Sequence, residues 1–128
     1  MEDLNVVVLA GRATRDAELK YTPKGTAVAT FALAVNRSRK GDDGATVEEA
    51  SFFEVVAWER TAEVVGEYVK KGKAVTVVGG LKQDRWTAQD GSPRSKVVVN
   101  VGRLILGASP KQAEGGGAAA EEYPPGLA

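Results

Sequence analysis

Between Ala27 and Asn36 the chain alternates with a period of two: Ala29, Phe31, Leu33 and Val35 fall on one side of an extended backbone, Val28, Thr30, Ala32 and Ala34 on the other. That period predicts a strand, with the first set as its core face. Ser51 to Trp58 repeats the pattern with larger side chains. Phe53, Val55 and Ala57 make a uniformly apolar face expected to pack inward, whereas Phe52, Glu54, Val56 and Trp58 mix rings with a charge, as a half-wet surface does. Leu4 to Ala10 is almost wholly aliphatic and predicts a buried strand, with Gly11 as its bend or bulge and Glu18 to Tyr21 as a short continuation. Ala74 to Trp86, bent at Gly79-Gly80, and Arg94 to Leu106, through Val97-Val98-Val99, complete the strands. Thr22 to Thr26 and Gln89 to Ser92 hold turn residues, and the polar run Arg37 to Val47 reads as a long hairpin loop. Helical spacing is persuasive only over Thr61 to Lys71, where Ala62, Val65 and Val69 recur. Thr61 is the expected N-cap and Gly72 the expected left-handed stop.

Five strands with one short helix between the third and fourth is the order of an all-β, five-stranded Greek-key barrel, the OB-fold. Its ligand surfaces are the second and third strands and the loops joining strands one to two and four to five. The barrel is expected to occupy residues 1–108. Residues 109–128, dominated by Gly, Ala, Pro and Glu, form a tail too poor in large apolar side chains to order itself. Topology leaves function open, because the same barrel serves oligosaccharides, RNA, proteins and nuclease chemistry.

Composition removes several of these. The 128 residues contain no Cys and no His, so thiol nucleophiles, disulfides, thiolate metal sites and the commonest general base are all missing. The adjacent carboxylates Asp42-Asp43, Glu48-Glu49 and Glu121-Glu122 fall in a turn, at a strand entrance and in the tail. They read as solvated charge, and neither an enzyme, a metal nor a cofactor is expected. The acidic start lacks a basic signal region, and no apolar run reaches membrane-spanning length. Net charge is zero, yet residues 1–108 hold sixteen basic against fourteen acidic side chains and the tail holds one against three. A weakly positive body with an acidic appendage is compatible with a phosphate-bearing partner.

The segments Leu4-Asn5-Val6-Val7-Val8-Leu9-Ala10-Gly11-Arg12, Lys20 to Gly25, Phe52 to Trp58, Ala62 to Val65, Tyr68 to Gly72, Gly80-Leu81, Arg85-Trp86-Thr87 and Val97 to Gly102 occur in an order that resembles the bacterial single-stranded-DNA-binding proteins. The resemblance spans about residues 4–107. It implies a cytoplasmic, nucleoid-associated homotetramer that holds single-stranded DNA during replication, recombination and repair. The runner-up is an accessory OB-fold adaptor for protein or RNA, or a specialised paralogue without partner recruitment.

Unpaired bases present flat apolar faces, and stacking one on an aromatic ring is worth about 1–3 kcal/mol without reading sequence. By the resemblance, Phe52, Trp58 and Trp86 are the stacking candidates, with Tyr21 as a fourth. The residues alone leave core or interface packing equally open for these rings. Phosphate contacts are assigned to Arg12, Arg15, Lys20, Lys24, Arg37, Arg39, Lys82, Arg85, Arg94 and Lys96, led by Arg12 and Lys82. Arg39 stands where well-known members have Trp, and a guanidinium there can still stack. Glu54 and Asp84 stand on the expected binding face where some relatives carry Arg, which predicts weaker or more salt-sensitive binding. The family's tail ends in acids, an aliphatic residue, Pro and a final Phe. Here Glu121, Glu122, Tyr123, Pro124 and Pro125 are followed by Gly126-Leu127-Ala128, so tail-mediated recruitment of replication or repair proteins is doubtful.

Overall fold

Ala29, Phe31 and Leu33 are fully buried, as are Val55 and Ala57 on the neighbouring strand, so the two alternating segments do face a common core. In the computed structural model, which describes residues 3–109, the elements run β1 (Val7–Ala13), β2 (Glu18–Tyr21), β3 (Ala27–Lys40), β4 (Thr46–Trp58), α1 (Glu59–Tyr68), β5 (Ala74–Thr87) and β6 (Pro93–Leu106). Val65 of α1, Val69 just past it, Val75 and Val77 of β5 and Val99 of β6 complete the interior. Each such side chain contributes roughly 1.5–3 kcal/mol by leaving water.

Five strands close on themselves. β1 pairs with β5, β5 with β6, β4 with β3, and β3 returns to β1 at Arg12↔Ala34 and Ala13↔Leu33, all antiparallel. The remaining seam, β4 to β6, is parallel and short, with Val55 opposite Val99 and Val56 opposite Asn100. This is the expected OB-fold barrel, with its helix between the third and fourth barrel strands. β2 occupies the same edge of β3 further along, from Glu18↔Thr30 to Tyr21↔Ala27, and so continues the line of β1. Between them the chain steps off the edge, held by the Ala17 N–H to the Val69 carbonyl at 2.9 Å and by the Lys71 N–H to Asp16 Oδ1 at 2.8 Å. Two glycines permit closure. A Cβ on Gly11 would strike the Ala34 carbonyl, and one on Gly79, beside the β5–β6 register shift, would strike the Asn100 carbonyl.

Leu4 to Ala10, expected as a buried strand, is strand only from Val7, and Leu4, Val6 and Val8 stay exposed. Three further expectations are corrected. Thr61 does not cap the helix: α1 starts at Glu59, its N-cap position is Trp58, and no side chain bonds there. β4 runs straight into α1, so the turn is made by the backbone of Glu59 at φ 59°, leaving no loop residue to act as a cap. The helix also ends at Tyr68, and Val69 reaches the core from extended backbone. Gly72, at φ 86°, serves the following turn, donating to the Ala13 carbonyl. Second, Arg37 to Val47 is largely strand, because β3 and β4 stay paired out to Lys40↔Thr46. That arm projects beyond the barrel with both faces wet, so no burial imposes a two-residue pattern on its sequence. Third, Phe53, expected inside, is 36% exposed. It lies opposite Leu33, where the arm begins to leave the barrel.

Candidate nucleic-acid interface

Cross-strand partners share a face of a sheet, and two rows fix the surroundings of the β4 aromatics. Phe52 lies opposite Ala34, which lies opposite Arg12; Trp58 lies opposite Val28, which lies opposite Lys20. Arg12, Phe52, Glu54, Trp58 and Lys20 therefore stand on the outer wall of the barrel. On the β5–β6 hairpin, Trp86 opposes Arg94, Asp84 opposes Lys96, and Lys82 opposes Val98. Lys96 joins the hairpin to β4: its Nζ lies 3.0 and 3.2 Å from the two carboxylate oxygens of Glu54 and 6.0 Å from the Trp86 ring centroid. Three open rings, Phe52 at 66%, Trp58 at 39% and Trp86 at 48% exposure, thus share one wall with cations between and beside them.

The wall is not uniformly basic. Lys20 is 2.8 Å from Glu18, and their hydrogen bond holds the Glu18 carboxyl below, and the Lys20 ammonium above, their ordinary ranges. Lys82 lies 3.7 Å from Asp84, and Arg94 lies 3.8 Å from Asp90 while donating to Ser92 Oγ. Arg12 donates to the Gly72 carbonyl at 2.9 Å. Exposed pairs of this kind add little stability. A strand of phosphates can take over such cations by exchange rather than by filling empty sites.

Other candidates fall elsewhere. Tyr21 opposes Ala27, on the core side of the sheet, and so points away from the wall that holds Lys20 and Trp58. Arg37 and Arg39 lie on the face of Phe53, and Arg39 Nε is 2.6 Å from Glu49 Oε1. Arg85 opposes Ser95 on the reverse side from Trp86 and donates to Gln83 at 2.8 Å. Arg15 and Lys24 lie on the flanks, outside the strands. The tail candidates Glu121, Glu122, Tyr123, Pro124 and Pro125 lie outside the described residues.

Sequence reasoning missed one pair of cations. Arg60, in the first turn of α1, and Arg103, on β6, rim a groove of about 480 Å³ with Thr61, Val64 and Leu104 to Leu106. Nothing local to either residue marks it, because the parallel β4–β6 seam is what places the helix start beside the end of the last strand. Among the described residues no helix is long and apolar enough to cross a membrane.

Residues 4–106 match the model of the single-strand binding protein family. A single-stranded DNA-binding protein of Treponema pallidum is 52% identical over 107 residues, 83% of this chain but 59% of that protein, so the chain spans rather less than two thirds of its relative's length. Single-stranded DNA-binding protein 1 of Synechocystis is 42% identical over 113 residues, covering 87% of this chain and 90% of that one. A solved structure titled as a Plasmodium falciparum SSB complex with ssDNA superposes with a TM-score of 0.74 at 24% identity, over 83% of this chain and 96% of the other. At that identity the likeness speaks for the fold.

Proposed function

The chain belongs to the single-strand binding protein family, and from that premise we propose that it binds single-stranded DNA without regard to sequence. In this reading it is a binding protein rather than an enzyme, protecting exposed strands during replication, recombination and repair. The observation that supports it most is the shared outer wall of Phe52, Trp58 and Trp86, all open to solvent beside Lys96, Lys82, Arg12 and Lys20. Bases stack on the rings, and phosphates displace the carboxylates now holding the cations. Residues 1–108 are the binding domain, acting in the cytoplasm.

Several copies assemble, with four as the expected number. Leu4, Val6 and Val8 are exposed at and just before the start of β1, and Asn5 among them ties this run to β5 by exchanging two hydrogen bonds with the Leu81 backbone. β1 pairs with β3 only at Arg12 and Ala13, so Val7 to Ala10 present an open edge beside these apolar side chains. A second copy can cover both.

Oligo-dT titration monitored by tryptophan emission, with native mass measured on the same sample, tests both statements. Saturating DNA is expected to quench Trp58 and Trp86, and affinity to fall with salt. Emission unmoved by DNA under low salt would remove the base-stacking wall, and a monomeric mass would remove the assembly.

A further inference from the structure

Phe52, Glu54, Val56 and Trp58 follow one another on the outer face of β4, and Glu54 lies opposite Ala32 of β3. A carboxylate therefore stands between two open rings, with apolar neighbours along its own strand and across to the next. Lys96 is its one side-chain partner among the described residues, with Nζ 3.0 and 3.2 Å from the two oxygens. Each oxygen can accept a second hydrogen bond. The Glu54 side chain keeps 37% of its surface open, so those positions are reachable from the side on which the rings are open. Lys96 also stands 6.0 Å from the Trp86 ring centroid, and so links the carboxylate to the third ring. Asp84, the other acid in this part of the wall, opposes Lys96 but neighbours only Trp86 on its own strand, and it lies 3.7 Å from Lys82.

We propose that Glu54 is a base-selecting residue, which accepts a hydrogen bond from the exocyclic amine of a base stacked on Phe52. The inference rests on the binding function proposed above and adds a composition preference to it. Two residues along a strand span about 6.6 Å, so a base on Phe52 can bring its edge to Glu54. Stacking is blind to sequence, but that edge is not. Cytosine and adenine carry an amine there, from which a carboxylate accepts, whereas thymine and uracil carry a carbonyl oxygen at the same place. A base lying over Glu54 strips water from the carboxylate. An amine replaces the lost water; a carbonyl leaves the charge unpaired, the more so once a phosphate has drawn Lys96 away. Repulsion between Glu54 and the phosphates is the same for every sequence, so it lowers affinity without altering the preference.

The test measures tryptophan quenching by oligo-dC and oligo-dU of about 12 nucleotides, within the span one OB-fold holds, for the full chain and its Glu54→Ala and Asp84→Ala variants. The two oligomers carry the same phosphates and differ only at the base edge. The ratio of their affinities therefore cancels charge effects and any loss of active protein. Glu54→Ala is expected to lower the dC-to-dU ratio about fivefold, the small end of what a direct base contact discriminates. Asp84→Ala removes an equal charge from the same wall and is expected to tighten both oligomers alike. An unchanged ratio in Glu54→Ala would reduce Glu54 to a brake on phosphate binding and overturn the proposal. An equal fall of the ratio in both variants overturns it too, since the preference would then follow the wall's charge. Binding of neither oligomer by the parent chain overturns the binding function itself, and this inference with it.

Discussion

Lys96 Nζ lies 3.0 and 3.2 Å from the two oxygens of the Glu54 carboxylate, bridging β6 to β4, and stands over the Trp86 ring, 6.0 Å from its centroid. Glu54 therefore neutralises the cation best placed between the stacking rings. Glu54→Gln is expected to free Lys96 for phosphate, tightening oligo-dT binding and steepening its salt slope by about 0.7, one further contact to a single strand. A slope that stays flat in fluorescence titrations would show that Lys96 faces no phosphate.

Trp86 and Phe31 are expected to behave oppositely on truncation. Trp86 is half exposed on a projecting hairpin, so Trp86→Ala should weaken oligo-dT binding by about 1–3 kcal/mol with thermal stability nearly unchanged. Phe31 is fully buried, and Phe31→Ala should cost about 3–5 kcal/mol of folding free energy by denaturant unfolding. Unfolding of the Trp86 variant would return that ring to a packing role.

Glu59 is the one non-glycine residue with positive φ among the described residues, and it follows Trp58 directly. A side chain in that region costs about 1–2 kcal/mol. Glu59→Gly relieves the strain, although glycine gives back part of the gain through backbone entropy. Denaturant unfolding should show a variant at least as stable as the parent. A clear loss of stability would mean that Glu59 makes up for its backbone through its side chain.

At the tip of the β5–β6 hairpin, the Ser92 hydroxyl and N–H donate to Asp90 Oδ1 at 2.6 and 2.9 Å and hold its carboxyl below the ordinary 3.8. A depressed carboxyl supports the fold above its unfolded pKa and loses that contribution as pH falls through the lower folded value. Ser92→Ala removes the stronger donor, so the Asp90 midpoint, read from its carboxyl chemical shift, should move up toward 3.8. A midpoint that does not move would mean that the hydroxyl plays no part in holding the charge.

Where one face of a strand is buried, alternation was enough to read structure. Ala29, Phe31, Leu33, Val55 and Ala57 were legible as core because burial on one side imposes a two-residue period. The choice of Phe52, Trp58 and Trp86 owed more to family resemblance, since a ring's composition does not say whether it packs or stacks. The β3–β4 arm was invisible because both its faces are wet, and Thr61 misled because a strand running directly into a helix needs no capping loop. Tyr21, Arg37 and Arg39 could be assigned a face only from cross-strand register, which a one-residue offset reverses. The sequence by itself determined the barrel, its buried face and its family. Tertiary structure alone decided which cations share a wall with the rings, which acids hold them, and that Arg60 and Arg103 line one groove. Those facts depend on pairings between residues far apart in the chain, and no local period records them.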